Sequence, residues 1–483
     1  MDYELRREDR AAVLSALQAG QYEAIATSEQ TALDELAHLA IELGVFEALK
    51  LTHREVRRER EGIPDELLLR TIAVLPFVEA LGLSAAAGAL FKDAAILLQL
   101  GYSIEQVQNG FNGRHRKPGA EASKSMTPCH SEVLRAELAR LDGESLQAFR
   151  QACMQQLFAR RLVKGRIYAI DGSGIHDRYR LVGLLNVHED QPLWISWRLL
   201  TGQASEKGQE ARVVRELLAD LYQAGGPGSI EWLLMDAYYA DGPLLAWLEY
   251  ERHIHALVRL PEDRQLYQDL AGLLRAGLIT SRTHSDVRYL SGHKQVRQVS
   301  LAAASDLTSW QSFLASAATY GAAHPSLWGA LIHSVDVNDP SQAEDWALVS
   351  TEPFNSAWAG YRCWRKRWHI ENNGFRELKE GWHLERAPWS YTDDTIVAAR
   401  VTFTLIAFNV AQIAKTAHGR QLTHHGIRRL RRELADQYGP APVVVFAKDT
   451  FGVFHIEEIM TLIGLAPKFS LRRPLSRADP PLS

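Results

Sequence analysis

The chain has 483 residues, of which 46% are hydrophobic and 23% are charged. This composition predicts a globular protein of two to four domains and excludes a disordered or fibrous chain. The net charge is only −4, so any binding of nucleic acid must rest on local basic surfaces and not on the charge of the whole protein.

The cysteines and the amino terminus both indicate a cytoplasmic protein. Cys129, Cys153 and Cys363 are scattered and have no metal-ligand spacing, which fits a reducing compartment without disulfides. The first residues contain no apolar signal core, and the longest apolar stretch, residues 401–414, is interrupted by polar residues and too short to span a bilayer. We therefore expect no association with a membrane.

Residues 1–155 are expected to form a helical amino-terminal domain that binds DNA ends. Apolar residues recur at helical spacing over residues 32–51 and 66–81, and strand signals are few.

A candidate DNA-binding motif lies in the second half of this domain. One helical segment ends at Gly101, and Ser103 and Gln106 form the capping box that opens another helix. The pattern is typical of a helix-turn-helix, but an ordinary pair of packed helices followed by a solvated basic loop has the same pattern. The cations that would contact phosphates just beyond it are Arg114, Arg116 and Lys117.

From residue 156 the pattern changes to strands. Three strand-like runs, residues 166–170, 181–187 and 193–200, precede a helix at 209–223. Alternating strands and helices then continue to residue 260. The order predicts a mixed α/β domain whose first part covers residues 156–260.

Three carboxylates stand out in the chain. The apolar run 167–170 leads into Asp171, and the run 232–235 leads into Asp236. Because side chains that follow buried strands emerge at one edge of a sheet, we expect these two carboxylates to lie close together. The third, Glu371, is surrounded by cations on what reads as one helix, which Trp368 and other aromatic or apolar residues should anchor through buried faces.

Two aspartates at strand ends and one glutamate on a helix are the parts of a two-metal phosphoryl-transfer site. In such a site, divalent ions about 4 Å apart clamp the attacking and the leaving oxygen. Mg²⁺ suits it because this ion takes oxygen ligands and binds through a few carboxylates and substrate phosphates. Asp241, five residues after Asp236, is expected to cap the next helix instead.

The remainder of the chain divides into three parts. Residues 261–344 mix strand-like pieces with loops and are expected to form an inserted, mainly β subdomain. Residues 345–418 should complete the α/β core with a returning strand at 346–351 and the helix of the glutamate. Residues 419–483 should form a small carboxy-terminal region with a disordered, proline-rich tail.

Taken together, these motifs resemble DDE transposases of bacterial insertion sequences, in the subgroup with a Tyr-Arg-Glu-Lys signature around the catalytic glutamate. The resemblance covers roughly residues 160–415. It rests on Tyr168-Ala-Ile-Asp171-Gly-Ser173, Leu233-Leu-Met-Asp236-Ala-Tyr-Tyr-Ala-Asp241, Leu348-Val-Ser-Thr351 and Arg367-Trp-His-Ile-Glu371-Asn-Asn-Gly-Phe-Arg-Glu-Leu-Lys379.

The resemblance implies a ribonuclease-H-like catalytic core interrupted by the β insertion. It implies that Asp171, Asp236 and Glu371 are the catalytic residues and hold two Mg²⁺ ions, for which Mn²⁺ can substitute. It also implies a homodimer on paired ends of double-stranded DNA, which cleaves terminal inverted repeats by hydrolysis and joins their 3′ ends to target DNA. Such a protein would be cytoplasmic and associated with the nucleoid when it is bound to DNA.

Two other functions are compatible with the same residues. One is a ribonuclease-H-like DNA endonuclease that does not transpose, and the other is a catalytically silent DNA-binding protein derived from a transposase. The presence of all three acids argues against loss of catalysis.

Two positions depart from the subgroup signature. Counting from the catalytic glutamate, the arginine falls on Arg367, but the tyrosine position is Trp364 and the lysine position is Leu378, one residue before Lys379. Either a π-bulge at residues 372–374 absorbs the extra residue, or the role of the lysine is displaced.

The signature region is also expected to supply DNA contacts. Arg367 lies one helical turn before the glutamate, so both a salt bridge and a phosphate contact are available to it. The residues of this region expected to contact DNA are Trp364, Arg365, Arg367, Arg376 and Lys379. A second basic cluster at residues 428–432 either contacts DNA or forms a solvated helix face.

Overall fold

The computed structural model describes residues 6–28, 31–52, 63–78, 80, 82–109, 131–176, 178–189, 191–202, 210–290, 293–385, 389–390, 392–417, 425–438 and 442–462. The chain divides into two compact units. The central unit is Val163–Phe375, and the flanking unit combines Met1–Leu162 with Arg376–Ser483.

The described residues form strands and helices that are numbered here in chain order. The strands are β1 (Arg7–Glu8), β2 (Ala24–Thr27), β3 (Ile167–Ile175), β4 (Tyr179–Asn186), β5 (Leu193–Thr201), β6 (Trp232–Met235), β7 (His255–Leu260), β8 (Arg282–Leu290), β9 (His293–Leu307), β10 (Leu327–Asp336), β11 (Glu344–Ser350), β12 (Val443–Ala447) and β13 (Thr450–Phe454). The α-helices of the amino-terminal part are α1 (Arg10–Gln18), α2 (Thr31–Glu42), α3 (Val45–Leu49), α4 (Asp65–Val74), α5 (Leu83–Leu90), α6 (Ala94–Gln99), α7 (Ile104–Asn109), α8 (Ser131–Leu138) and α9 (Gly143–Ala159). The later helices are α10 (Val214–Gly225), α11 (Gly242–Ala246), α12 (Gln265–Arg275), α13 (Gln311–Thr319), α14 (Ala357–Arg365), α15 (Arg376–Glu380), α16 (Asp394–Ala417), α17 (Ile427–Tyr438) and α18 (Ile456–Leu462).

The central unit is built on one nine-stranded sheet with the order β5-β4-β3-β6-β7-β11-β10-β9-β8. Strands β3, β4 and β5 form an antiparallel meander, and β6 and β7 run parallel to β3. The parallel strands β6 and β7 are almost entirely buried, as is usual for strands covered on both faces. This arrangement confirms the predicted mixed α/β, ribonuclease-H-like core.

The insertion extends this sheet instead of forming a sheet of its own. Strand β11 pairs with β7, as predicted for a strand that returns to the core, and β10, β9 and β8 then add on antiparallel. The region also contains the helices α12 and α13, so it is less purely β than its sequence indicates. Its limits at residues 261 and 344 remain a prediction.

The flanking unit contains the helices α1–α9 of the amino-terminal part and a four-stranded sheet with the order β1-β13-β12-β2. Strands β1 and β2 were not predicted from the sequence, because they are very short and pair with strands more than 400 residues away in the chain. Successive side chains of β12 face opposite sides of the sheet. Val443 and Val445 pack with Val13 of α1, whereas Val444 and Phe446 pack with Leu98 of α6.

The partition into two units is coarser than the five predicted domains, whose limits stay predictions. Residues 376–418, predicted as part of the catalytic core, group with the amino-terminal residues. The tail falls outside the described residues beyond residue 462.

The predicted capping box at the start of α7 is confirmed. The Ser103 amide donates to Gln106 Oε1 at 2.8 Å, and the Gln106 amide donates to Ser103 Oγ at 3.1 Å. Gly101 has a φ of +97° in the turn before it, a conformation that glycine adopts without strain. The neighbouring cations Arg114, Arg116 and Lys117 lie outside the described residues, so both interpretations of this motif stay open.

Helix α16 is the core helix of the flanking unit. It is long and apolar enough to cross a membrane, but 94% of its most apolar window is buried inside the protein. The apolar stretch noted at residues 401–414 is part of this longer helix. Lys415, near its end, is only 2% exposed, and burial lowers the pKa of its ammonium from 10.5 to about 8 although Glu377 acts in the opposite direction.

Replacing Lys415 with methionine is expected to stabilise the protein at neutral pH. A lowered pKa means that the folded protein binds the proton of Lys415 more weakly than the unfolded chain does. The free energy of unfolding therefore rises with pH between about 8 and 10.5. Below that window the folded protein bears the full cost of burying the charged ammonium. Lys415→Met removes the penalty and should raise the free energy of unfolding by about 2 kcal/mol at pH 7. Urea unfolding at pH 7 and pH 10 measures the gain, and equal gains at both pH values would contradict this account.

Candidate active site

Asp171 lies on β3, and Asp236 directly follows the neighbouring strand β6. Strand β3 pairs in parallel with β6, with Ala169 opposite Leu234. Asp171 and Asp236 each lie two residues beyond this last pair, and neighbouring strands are about 4.8 Å apart. Side chains at matching positions of parallel strands point to the same face of the sheet, so both carboxylates face the same side.

The apolar run had indicated that this strand ends before Asp171. In the structure, β3 extends beyond Asp171. It continues to Ile175, because β4 pairs with it along its whole length and places Gly183 opposite Asp171. Strand β6 ends at Met235, directly before Asp236. Asp241 caps α11 by accepting the amide of Leu244 at 2.9 Å, which confirms its predicted structural role.

Glu371 lies in a π-helical segment, Ile370–Phe375, that follows α14. A π-helical turn at this place is what the first of the two alternatives requires, and whether Lys379 takes the signature lysine role stays a prediction. The segment packs closely on the central sheet: a Cβ added to Gly374 would lie 2.8 Å from Cζ2 of Trp194, and the ring centroids of Trp194 and Phe375 are 5.0 Å apart. The π-helix therefore presses against β5 and sets the position of Glu371.

Trp368 is not on a buried face, contrary to the prediction. Its side chain is 36% exposed, because Phe375 and Ile370 already fill the contact with the sheet. The guanidinium of Arg367 lies 5.6 Å from the centroid of the Trp368 ring.

Arg367 joins two of the three carboxylates. Its Nη1 donates to Asp171 Oδ2 at 2.9 Å, and its Nη2 donates to Glu371 Oε1 at 2.6 Å. The residue is only 3% exposed, and its guanidinium also lies 5.3 Å from the ring centroid of Trp364. Of the two roles open to Arg367, the salt bridge is the one observed.

The charges of the site perturb one another. Burial alone would lower the pKa of Arg367, but the carboxylates of Glu371, Asp171 and Asp236 outweigh it and raise that pKa. The pKa of Asp171 is raised to about 6. Burial is the main cause of that rise and the negative charges of Glu371 and Asp236 add to it, whereas Arg367 opposes it.

The three carboxylates are a donor set that fits divalent ions. They supply only oxygen ligands, which hard cations such as Mg²⁺ prefer. Two of them stand on a rigid sheet, and the third is held on a packed helical segment. Asp171 and Glu371 meet through Arg367, and Asp236 is near enough for its charge to act on Asp171 and Arg367. Their role as catalytic and metal-binding residues stays a prediction.

Trp364 is buried, which contradicts its predicted contact with DNA. It is 3% exposed, its indole N–H donates to the carbonyl oxygen of Met235 at 3.3 Å, and its ring lies 4.5 Å from that of Trp346. An aromatic at this position therefore packs α14 onto the end of β6, next to Asp236. The sequence alone could not show which tryptophan of this helical region is buried. Trp364 is buried, whereas Trp368, four residues later, is partly exposed.

The other predicted DNA-binding residues differ in their surroundings. Arg365 lies on α14 with its Nε 3.7 Å from Asp286 Oδ2. Arg376 pairs with Glu380 at 3.1 Å, and Lys379 pairs with Glu385 at 3.6 Å. The latter two belong to the flanking unit, and their contacts with DNA remain predictions.

The second basic cluster, on α17, is partly engaged within the flanking unit. Arg428 donates to the carbonyl oxygen of Glu380 at 3.0 Å, Arg429 pairs with Glu433, and Arg431 donates to the carbonyl oxygen of Phe77 at 2.9 Å. Three of the arginines are therefore neither fully solvated nor shown to meet DNA, and DNA contact by this cluster stays a prediction.

A cleft of about 510 Å³ runs along α14. Of the cations that line it, only Arg365 was predicted to contact DNA. The sequence did contain a signal for the others, because residues 362, 365, 366 and 369 have the spacing of one helix face. The residues that line it are Ile167, Glu189, Asp286, Ala359, Tyr361, Arg362, Cys363, Arg365, Lys366 and His369. We call it the α14 cleft.

A second group of potential metal ligands lies at the other end of the parallel strands. Glu249, His255 and Glu352 place one ligand atom each within 4.8 Å of one another. Glu249 Oε2 is 3.1 Å from His255 Nδ1 and accepts the hydroxyl of Thr351. His255 pairs with Trp232 at the start of β6, whereas Asp236 follows the end of that strand, so this group is separate from the three acids. Sequence spacing had given no hint of it.

Comparison with known proteins bears on this site directly. The model of one protein family, described as the transposase DDE domain, matches residues 167–409. That range covers just over half of the 483 residues and contains all three acids. A search of curated proteins gave no match.

Proposed function

Because the chain belongs to the family of transposase DDE domains, we propose that it is the transposase of a bacterial insertion sequence that moves by cut and paste. It binds the terminal inverted repeats of its own element, cleaves them, and joins the 3′ ends to target DNA. The observation that carries this proposal is the meeting of Asp171, Asp236 and Glu371 around Arg367 on the ribonuclease-H-like sheet.

The cofactor proposed is Mg²⁺, with Mn²⁺ as a substitute. Two such ions, when bound, activate the attacking oxygen and stabilise the leaving oxygen of a phosphodiester. Asp171, Asp236 and Glu371 would hold them. The chain therefore needs no nucleophile of its own, and water and then a 3′ hydroxyl can serve as the attacking groups.

The protein contributes position and charge to this reaction. The parallel pairing of β3 and β6 positions Asp171 and Asp236, and the packing of the π-helix on Trp194 holds Glu371. Such fixed geometry matters because a misplacement of about 1 Å can cost on the order of a hundredfold in rate.

The α14 cleft is proposed as part of the DNA path. Arg362, Arg365 and Lys366 line it, and α14 leads directly towards Arg367 and Glu371. Cations spaced along a helix suit a phosphate backbone, whose contacts position DNA without reading its sequence. Arg376 and Lys379 are proposed to add contacts from the flanking unit, with Lys379 taking the signature lysine role of the subgroup. The active form is proposed to be a homodimer on paired ends.

Removing two of these cations is expected to weaken DNA binding in a way that depends on salt. In the double variant Arg362→Gln, Lys366→Gln, the slope of log K against log salt concentration should decrease by about two, since each phosphate contact contributes about 0.9. Fluorescence anisotropy with a labelled duplex from the DNA flanking the gene measures this slope. Arg275→Gln, which removes a cation of α12 from outside the cleft, is the control, and an equal change in that variant would contradict a role of the cleft.

A further inference from the structure

We propose that Arg367 competes with the divalent ions for the carboxylates of Asp171 and Glu371, and thereby sets how tightly the site binds metal. The inference rests on the proposed metal site and adds a role for a residue of this chain. It concerns binding and not a step of the reaction.

The competition follows from which atoms Arg367 uses. Its two Nη atoms bind Asp171 Oδ2 at 2.9 Å and Glu371 Oε1 at 2.6 Å. These are charge-assisted hydrogen bonds, the strong class of such bonds. A metal ion at this site needs lone pairs of the same carboxylates, so a cation already stands where another must bind.

The distances between the carboxylate oxygens of the three acids also indicate that Arg367 must move before metal binds. Oxygens bound to one Mg²⁺ lie within about 4.2 Å of each other, since each lies about 2.1 Å from the ion. Among the residues that the structure describes, Asp171, Asp236 and Glu371 do not form a group whose ligand atoms all lie within 4.8 Å, whereas Glu249, His255 and Glu352 do. The guanidinium stands between Asp171 and Glu371, and it must release at least one of them before the three acids can close on one ion.

Little else holds the guanidinium in place. Its Nε is buried and has no hydrogen-bond acceptor among the described residues. Its other contacts include the rings of Trp364 and Trp368, at 5.3 and 5.6 Å from its centre, and the charge of Asp236 acts on it as well. The ion pairs with Asp171 and Glu371 are therefore the main interactions that a metal ion has to replace, and Trp368, which is partly exposed, offers the released cation an aromatic surface.

Isothermal titration calorimetry of the purified full chain with Mn²⁺, in the absence of DNA, tests the proposal. Arg367→Gln should bind Mn²⁺ at least about tenfold more tightly than the wild type, since charge-assisted bonds to both acids are lost. The control is Arg275→Gln, which removes the same charge from an exposed arginine of α12 outside the site. Its affinity should change by no more than about twofold, the scale of a screened surface charge.

Three further variants keep the outcome interpretable. Asp171→Asn identifies the heat that comes from this site, and Glu249→Gln identifies any heat from the second group. Arg367→Lys, whose single ammonium lacks the planar fork that holds two carboxylates, should bind Mn²⁺ with intermediate affinity and serves where Arg367→Gln does not fold.

The results separate this inference from the proposed function. Equal or weaker Mn²⁺ binding by folded Arg367→Gln or Arg367→Lys overturns the competition, while the metal site stands if Asp171→Asn abolishes binding. Wild-type protein that gives the same titration as Asp171→Asn overturns both.

Discussion

Asp171→Asn, Asp236→Asn and Glu371→Gln are each expected to lower the rate of DNA-end cleavage by more than about a thousandfold, the loss typical when charge stabilisation at a reacting phosphate is removed. Binding of the DNA end should change little, because these carboxylates are proposed to hold metal ions and not to contact phosphate. Each substitution keeps the shape of the side chain and removes one negative charge.

Cleavage of labelled flanking DNA in Mg²⁺, together with anisotropy for binding, measures both effects. Asp241→Asn is the matched control, because asparagine can cap α11 as Asp241 does. A normal rate in any of the three variants would remove that residue from the site. A rate in the Asp241→Asn control as low as in the three would show that the loss is not specific to these acids.

Gly374→Ala is expected to damage both folding and catalysis. The added Cβ would lie 2.8 Å from Trp194 Cζ2, so either the tryptophan or the π-helix has to move. Overpacking of this kind costs about 1–3 kcal/mol of stability. Since the π-helix carries Glu371, a displacement of about 1 Å should lower the cleavage rate by about a hundredfold.

Gly272→Ala provides the comparison for this variant. Gly272 lies within α12, and a Cβ added there meets nothing within 4 Å, so alanine should be neutral or stabilising by up to about 1 kcal/mol. Urea unfolding and cleavage rates measured on both variants test the idea. If Gly374→Ala retained wild-type stability and rate, the packing on Trp194 would not set the position of Glu371.

The centre of the fold could be predicted because its signals are local. The apolar runs before Asp171 and Asp236 are strands β3 and β6, which pair in parallel, and each acid lies two residues beyond the last pair. The extra residue before Lys379 left open either a π-bulge or a displaced lysine, and the structure contains a π-helix there. In each case the information lies within a few residues of the position concerned.

The features that were missed depend on partners far away in the chain. The length of β3 is set by its pairing with β4, and the burial of Trp364 is set by its packing on Trp346. Strands β1 and β2 exist because the carboxy-terminal hairpin offers them edges. The bridge from Arg367 to Asp171 spans 196 residues, so spacing around Glu371 could show that a salt bridge was available but not which acids it would join.

Strand joining by the purified protein tests the proposed function most directly. A labelled duplex ending in the flanking terminal repeat is incubated with Mg²⁺ and a target plasmid, and the label joined covalently to the plasmid is quantified. The account predicts that the 3′ end becomes joined to the plasmid with the wild type and that joining is lost with Glu371→Gln. Cleavage of the duplex without any joining would identify a nuclease, and joining that persists in Glu371→Gln would contradict the site.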